Sequence, residues 1–464
     1  MTTKRDVLAD ARTGAAVLPL LFLLVACGGG SGSGNPGAPT APTPAPTPAP
    51  PSPAPAPSGP GPAIATEPAD QTVSLGQRAF FAVSAPSATS YQWSRNGVAI
   101  AGATSASYFA PAAAAGDAES AYTVAVSDSA GTTNSTSAKL HLNPNANGAP
   151  PDAFWGNIAS IPAATQVMTL KFVNATNGKY PDSQVFWQIH GTSATGATIN
   201  ETHSLAEQST FDSPGINSTR MYFYIAPNVA AATQGPTSYY DFIEFNLGRS
   251  SASQPWNFNG DTTRVDAFGI KLAIRLQCTD GTDLVRGEDY GTFLEDRSIT
   301  FQKYLAEVPS PYRSTGTQFA PYRIVEPGTA TNFQAGGADA AYYDAYIDQV
   351  WTANGIDPAV VPKPTAYLKF ADGSRPDLVA AVERHVAERA GTFKSDGTLV
   401  NSNFWSTVPA SSFYPAAPAN YYAQYWHTHG IGALAYGFSY DDVGGYSSDI
   451  GCNNPQRLIV GIGW

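Results

Sequence analysis

Positive charge is scarce in this chain. Its 464 residues hold 25 Lys and Arg against 36 Asp and Glu, a net charge of −11. That balance argues against nucleic acid or an anionic membrane surface as a partner. Charged residues of both signs together make up only 13%. Cysteine is almost missing, with Cys27, Cys278 and Cys452 alone. No Ser-His-Asp arrangement, phosphate loop or dinucleotide fingerprint is visible. What is present is apolar and aromatic: 43% hydrophobic residues, with Tyr 23 and Phe 22. Gly 43 and Pro 38 add many turns. An acidic, aromatic-rich surface suits a neutral, hydroxyl-bearing ligand better than an anionic one.

The chain is long enough for two or three domains. Residues 1–26 have a basic start and an apolar run of signal-peptide length, too short for a comfortable membrane-spanning helix. The run ends in Leu24-Val25-Ala26-Cys27, which resembles a bacterial lipobox, so Cys27 is the expected lipidation site. An exported lipoprotein of the outer membrane or cell surface follows, touching membrane only through its lipid. Residues 27–62 are Pro-rich and cannot build a core. As a polyproline rod at about 3.1 Å per residue they would reach roughly 90 Å. Residues 63–145 show short alternating strands and resemble an immunoglobulin-like domain, with Trp93 at the core position and Tyr122 at the tyrosine corner. A passive spacer is its expected role.

Residues 150–464 can hold an enzyme. Residues 150–285 are strand-rich, and 286–419 carry helical spacing in SITFQKYLAEVP, YYDAYIDQVWTANG and RPDLVAAVERHVAERAG, the last stopped by Gly391. From 420 to 464 Gly- and Tyr-rich strands and loops are expected to return. The predicted fold is therefore mainly β: an immunoglobulin-like sandwich, then a second sandwich interrupted by a smaller α/β insertion. In an oxidising compartment Cys278 and Cys452 become a candidate disulfide stapling the closure. Two free buried thiols are the alternative.

In DFIEFNL, Ile243, Phe245 and Leu247 share one face of a strand, and Phe242, Glu244 and Asn246 the other. Glu244 therefore faces solvent or a cleft. In VDAFGIKLAIRL the apolar set is Ile270, Leu272, Ile274 and Leu276. Strict alternation would bury Asp266 with them, unless Gly269 forms a bulge that turns it outward. A carboxylate pair flanked by aromatics suits glycoside hydrolysis, with one group protonated and one ionised. Trp256, Phe258, Tyr239 and Tyr240 are candidate sugar platforms. Such a pair in a sheet is more often a solvated edge or half of a salt bridge.

A resemblance carries further. DFIEF, TTRVDAFGIKLAIRLQC, GEDYGTF, EDRSITFQKYLAEVP, APYRIVEPG, YIDQVW, ANYYAQYWHTHGIGALAYGFSYDDVGG and NPQRLIVGIGW, in that order, resemble glycoside hydrolase family sixty-four. Its members are laminaripentaose-producing endo-β-1,3-glucanases. The resemblance implies a thaumatin-like β-sandwich with a smaller α/β domain, a cleft for β-1,3-glucan between them, and no metal or organic cofactor. It also implies an inverting reaction with Glu244 as general acid and Asp266 as general base. RSSASQPWNFNG stands as an insertion between the two, which leaves Asp261 as a second candidate base. Asn246 replaces the Thr expected beside the acid, so contacts there differ.

Tyr425, Trp426 and Tyr440 belong to an aromatic-dense segment that reads as cleft wall or core. His427 and His429, two apart on an expected strand, share one face; without a third ligand of convincing spacing, His427 reads as a sugar contact or structural residue. Asp441 and Asp442 suit a sugar hydroxyl, a cation or a capped turn. Glu295, Asp296 and Arg297 read as helix-capping and ion-pair residues. The expected activity is cleavage of β-1,3-glucan to short oligosaccharides by a monomer, with Asn246, Trp256, Phe242, Tyr425, Trp426, His427, Tyr440 and Asp441 contacting substrate. The alternatives are a surface β-glucan-binding protein without turnover, and a structural adhesin.

Overall fold

In the computed structural model, the residues described are 59–353, 355, 357, 359, 414, 417–438, 441 and 445–464. The signal segment, Cys27, the Pro-rich stretch up to residue 58, the 375–391 helical pattern with Gly391, and Tyr440 and Asp442 lie outside them.

The first sandwich comes from eight short strands: β1 (Gln71–Val73), β2 (Arg78–Ala82), β3 (Ser90–Arg95), β4 (Val98–Ala99), β5 (Ser107–Ala112), β6 (Ala121–Ser127), β7 (Thr132–Asn134) and β8 (Ala138–Leu142). The larger sheet runs β1-β8-β6-β3-β4, with β7 on β6, and faces the pair β2-β5. Strict alternation in β6 sends Tyr122, Val124 and Val126 inward. There Tyr122 stacks on Phe81 at 4.3 Å, beside fully buried Trp93. This unit is no free-standing bead. Gln77 donates its amide to Asp289 Oδ2 (2.9 Å) and to the Thr428 carbonyl (2.8 Å) of the body that follows. A Cβ on Gly291 would lie 2.0 Å from the Thr72 carbonyl, so only glycine lets β1 approach so closely there.

The second sandwich is larger. One sheet holds β10 (Val185–Thr192), β11 (Thr198–Ser204), β13 (Ile216–Ile225), β14 (Tyr239–Gly248), β15 (Asn257–Thr262) and β20 (Ile450–Asn453), in the order β11-β10-β13-β14-β15-β20. The other holds β9 (Met168–Ala175), β12 (Thr210–Ser213), β17 (Lys271–Cys278), β18 (Asp283–Gly287) and β21 (Pro455–Gly463), in the order β12-β9-β21-β17-β18. Ile243, Phe245 and Leu247 from the first sheet meet Ile270, Leu272, Ile274 and Leu276 from the second in one core, with Trp187 and Phe223. A disulfide joins Cys278 on β17 to Cys452 on β20, tying the two sheets together across 174 residues of sequence.

A helical lobe stands beside this sandwich. Helices α1 (Tyr290–Leu294), α2 (Arg297–Glu307) and α3 (Arg313–Thr317) are followed by Asp344–Ala353 and Tyr421–Thr428, with a two-stranded ribbon of β16 (Ala267–Phe268) and β19 (Ile324–Val325). Asp296 caps α2, accepting from the Ser298 amide, and Glu295 pairs with Lys303 at 2.9 Å. The segment after 420 departs from expectation: Tyr421–Thr428 is a helix, capped by Asn420, and among the described residues strand resumes at Ile450. Its buried residues Tyr422, Tyr425 and Trp426 follow helical spacing into a core with Phe268, Phe301 and Tyr304.

One buried ion cluster joins sandwich to lobe. Arg264, in the link after β15, reaches Asp241 on β14 at 2.9 Å and Glu288 after β18 at 2.6 Å, all three nearly solvent-free. Burial opposes the Arg264 charge, but the two carboxylates raise its pKa above the usual value. Replacing Arg264 by Met would strand two buried carboxylates, a loss of about 3–5 kcal/mol. Urea unfolding should show the midpoint falling at an unchanged slope; an unmoved midpoint would remove this cluster from the fold's supports.

Candidate active site

The outward face of the larger sheet is a ladder of side chains. In RMYFYI of β13, Met221, Phe223 and Ile225 enter the core, while Arg220, Tyr222 and Tyr224 point outward. Arg220 lies opposite Glu244 of β14, and Glu244 lies opposite Asp261 of β15. One row of the sheet is thus Arg220, Glu244, Asp261. The next row toward the β14–β15 turn is Asn246 opposite Asn259, and the rows on the other side are Tyr222 with Phe242 and Tyr224 with Tyr240.

The ladder breaks between Ile216 and Thr219, where Ser218 takes a positive φ of 44°. Such an irregularity twists a strand locally. It brings the Ser218 amide to Asn246 Oδ1 at 3.3 Å. Ser218, Thr219, Arg220, Glu244, Asn246, Asn259 and Asp261 line a surface cavity of about 320 Å³.

Asp266 reaches this row by another route. It precedes β16, in the link that Arg264 pins inward, so the alternation of β17 does not set its face. Its side chain is 52% exposed, and its Oδ2 lies 3.2 Å from Arg220 Nη1. Arg220 Nε meets Glu244 Oε1 at 2.5 Å. One guanidinium therefore spans both carboxylates, and its Cζ lies 4.3 Å from the centroid of the Phe242 ring. Partial burial opposes the Arg220 charge, but Glu244 first and then Asp266 raise its pKa. Gly269 acts otherwise than expected. It makes no register-flipping bulge; a Cβ there would lie 1.8 Å from the Tyr240 carbonyl, and its amide donates to Asp241 at 2.8 Å.

Of the expected contact residues, Asn246 lines the cavity and Phe242 lies beneath Arg220 as its floor. Others lie elsewhere. The Trp256 ring rests against Gly215 and under Arg249 at 4.4 Å, away from the row. Tyr425 donates its hydroxyl to the Thr300 carbonyl and Trp426 stacks on Phe268; both are core residues of the helical lobe. His427 meets buried Asp441 at 2.9 Å and the Ala433 carbonyl at 3.0 Å, while His429 turns to Glu307 at 3.1 Å. Helical placement separates the two imidazoles that strand spacing would have aligned. His427 and Asp441 hold a turn, with Asp441 also accepting from the Gly437 amide. Phe258 is core, and Tyr239 packs edge-on against Trp464.

Sequence reasoning missed Arg220 and Asn259. The signal for Arg220 was present: it shares the parity of Tyr222 and Tyr224 in an otherwise alternating strand. Because Arg220, Glu244 and Asp266 are each a third to a half exposed, their pairing adds little to stability. Arg220→Ala should change the unfolding free energy by no more than about 1 kcal/mol. Calorimetry decides it, and a large loss would make the pairing a structural device.

The sequence profile of the β-1,3-glucanase family, glycoside hydrolase family 64, matches residues 204–361 and 360–462, more than half of the chain. A glucan endo-1,3-beta-glucosidase from Cellulosimicrobium cellulans is 28% identical over 171 residues, 35% of this chain and 28% of that protein. The same figures hold for its counterpart from an Arthrobacter strain, so the chain spans little more than a quarter of the curated relatives it matches. Among solved structures, the laminaripentaose-producing β-1,3-glucanase of Paenibacillus barengoltzii is 25% identical with a TM-score of 0.52, covering 87% of this chain and all of that one. Its complex with laminarihexaose is similar at 26%. A glucanase domain from Clostridium beijerinckii, 21% identical with a TM-score of 0.50, covers 65% of this chain and all of its own, and shares the fold. This chain belongs to the β-1,3-glucanase family, glycoside hydrolase family 64.

Proposed function

We propose that the chain is an endo-β-1,3-glucanase that hydrolyses its substrate with inversion in the Glu244 cleft. The observation that carries this reading is the single guanidinium of Arg220 held between Glu244 and Asp266. Glu244 Oε1 and Asp266 Oδ2 sit on different nitrogens of that guanidinium, so two carboxyl groups from separate elements face one site. Inverting hydrolysis needs its carboxyl groups about 6.5–9.5 Å apart, with room for water. Arg220 favours the ionised form of both carboxyl groups, so Glu244 takes up a proton as bound substrate draws it off the guanidinium, and gives that proton to the departing glycosidic oxygen as the bond from the anomeric carbon breaks. Asp266 takes a proton from the water whose oxygen bonds to that carbon from the opposite face. Arg220 keeps the two groups apart and carries the positive charge that offsets the carboxylate of the pair.

Asp261 is the second candidate base, and its position gives it a specific claim. It lines the cavity and stands directly across from Glu244. The V-D-A-F-G motif context and the shared contact with Arg220 favour Asp266 as the base and leave Asp261 to orient Glu244 or a sugar hydroxyl.

The remaining parts of the reading concern where the cleft works. We propose that Cys27 is lipidated after export, that the Pro-rich stretch is a stalk, and that the first sandwich is an immunoglobulin-like domain. The glucanase body would then act as a monomer at the outer membrane or cell surface on glucan outside the cell. A surface glucan-binding protein without turnover is the reading to beat.

The test compares the parent chain with Glu244→Gln, Asp266→Asn and Asp261→Asn on linear β-1,3-glucan, reading products by chromatography and anomeric NMR. The parent should release soluble oligosaccharides with inverted configuration. Glu244→Gln and Asp266→Asn should each lower kcat at least about a hundredfold, the scale of a lost general acid or base, with binding retained. Retained activity in Asp266→Asn with loss in Asp261→Asn would move the base to Asp261. Binding without any release from the parent would leave only the glucan-binding protein.

A further inference from the structure

The face that carries Glu244 differs in kind on its two sides. Toward the β14–β15 turn lie amides, Asn246 and Asn259; toward the other end lie aromatic rings. Phe186, Tyr224, Ala226 and Ala232 form a small buried cluster on this outer face, with Tyr222 and Tyr240 packed against it. An apolar cluster outside the sandwich core contributes nothing to closing the two sheets.

The rings are held in fixed positions. The Tyr224 hydroxyl donates to Gln188 Oε1 at 2.7 Å, and the Gln188 amide donates to Thr202 Oγ1 at 2.9 Å, so a polar chain spans three strands beneath the cluster. Arg220 lies 4.3 Å over the Phe242 ring, and Arg323, from the helical lobe, lies 4.1 Å over Tyr240. Between these two covered rings Tyr222 remains partly exposed. Its centroid is 5.4 Å from Phe242, 6.3 Å from Tyr240 and 6.4 Å from Tyr224, to which it is inclined by 28°. It stands one row from Glu244, about 7 Å along the strand.

We propose that Tyr222 is a stacking platform for the apolar face of a glucosyl unit next to the scissile bond, an inference that rests on the glucanase reading above. A pyranose presents C–H groups on its faces and hydroxyls around its rim. The negative face of an aromatic ring attracts the first, and the amide rows beyond Glu244 serve the second. Tyr222 meets three further conditions: its ring is packed against a buried aromatic cluster, it lies in the row adjoining Glu244, and it is partly exposed between rings already covered by cations. Tyr222 also supports the Arg220 charge through its hydroxyl, so the test must separate ring from hydroxyl.

The full-length chain carrying Glu244→Gln provides a background in which β-1,3-linked glucose hexamer can be titrated calorimetrically without turnover. Tyr222→Phe keeps the ring and should bind like the background. Tyr222→Leu keeps bulk without a π face and should bind about tenfold more weakly. With Glu244 restored, Tyr222→Leu should raise KM by a similar factor while kcat stays within about threefold. Thermal melts of each variant check folding. A Leu variant that melts and binds like its parent overturns the proposal. So does a Phe variant that loses as much as Leu, since the hydroxyl at Arg220 would then carry the effect. A parent that releases no sugar while the titrations behave as expected would sink the hydrolytic reading and leave the platform standing in a binding protein. If the background chain binds no hexamer, the platform falls with it.

Discussion

The arrangement of the cleft depends on one buried cation. Arg264 sits where β15 ends, and its guanidinium is claimed by Asp241 from β14 and Glu288 from the strand end after β18. Each carboxylate also fixes backbone: Asp241 accepts from the Gly269 amide and Glu288 from the Leu272 amide. The Tyr422 hydroxyl of the helical lobe donates to the Arg264 carbonyl. Two sheets, the link between β15 and β17, and the lobe are therefore registered to one point. Burying three charges together is expensive, and hydrophobic residues of the same shape would often be as stable. What the cluster supplies is placement. The chain after it must turn, and two residues later Asp266 emerges on the surface beside Arg220 instead of continuing into the core.

Glu244 and Asp266 thus owe their positions to different physics. Glu244 is placed by the ladder: strand parity sends it outward, and hydrogen-bonded register sets Arg220 on one side and Asp261 on the other. Asp266 is placed by a link whose path is fixed from beneath. Arg220 reconciles the two, since a planar cation with several donors can satisfy carboxylates arriving from unrelated directions. Its own seat is the Phe242 ring, which removes water from one face of the guanidinium while leaving the other open. The same ladder that aligns Glu244 also sorts its surroundings, amides on one side and rings on the other, because side chains two residues apart share a face.

Much of this was legible from local pattern. The alternation of Ile243, Phe245 and Leu247 gave the core face of β14 and therefore the outward face of Glu244. The run Ile270, Leu272, Ile274 and Leu276 is the buried face of β17. Trp93 and Tyr122 lie in the core of the first sandwich. What escaped was set by tertiary contact. Tyr425, Trp426 and His427 have strand-like composition, yet Asn420 caps a helix there and the aromatic density fills a lobe core. Gly269 reads as a bulge in sequence, but its need is steric, the approach of its backbone to Tyr240. Trp256 lies in a stretch that looked like an insertion into the cleft, and instead packs against Gly215. Arg220 lies 24 residues from Glu244, and no local rule pairs them; only the β13–β14 register does.

The cleft is also a late product of the chain's topology. β15, which carries Asn259 and Asp261, is flanked on its far side by β20. β20 in turn is tied through Cys452 to Cys278 on the opposite sheet. In that opposite sheet β21 fills the centre, parallel to β9 and antiparallel to β17. Neither sheet is complete before the segment from Ile450 to Gly463 has joined it, so contacts of very long sequence separation decide whether the wall of the cleft exists. Such closure is slow, because the entropy of the intervening chain is lost before the contacts repay it. The helical lobe, which bonds to the first sandwich through Thr428 and Asp289, is held by elements on both sides of that closure. A rigid row follows from this: Glu244 and Asp261 lie on strands that can shift only if sheets, disulfide and buried ion cluster yield together.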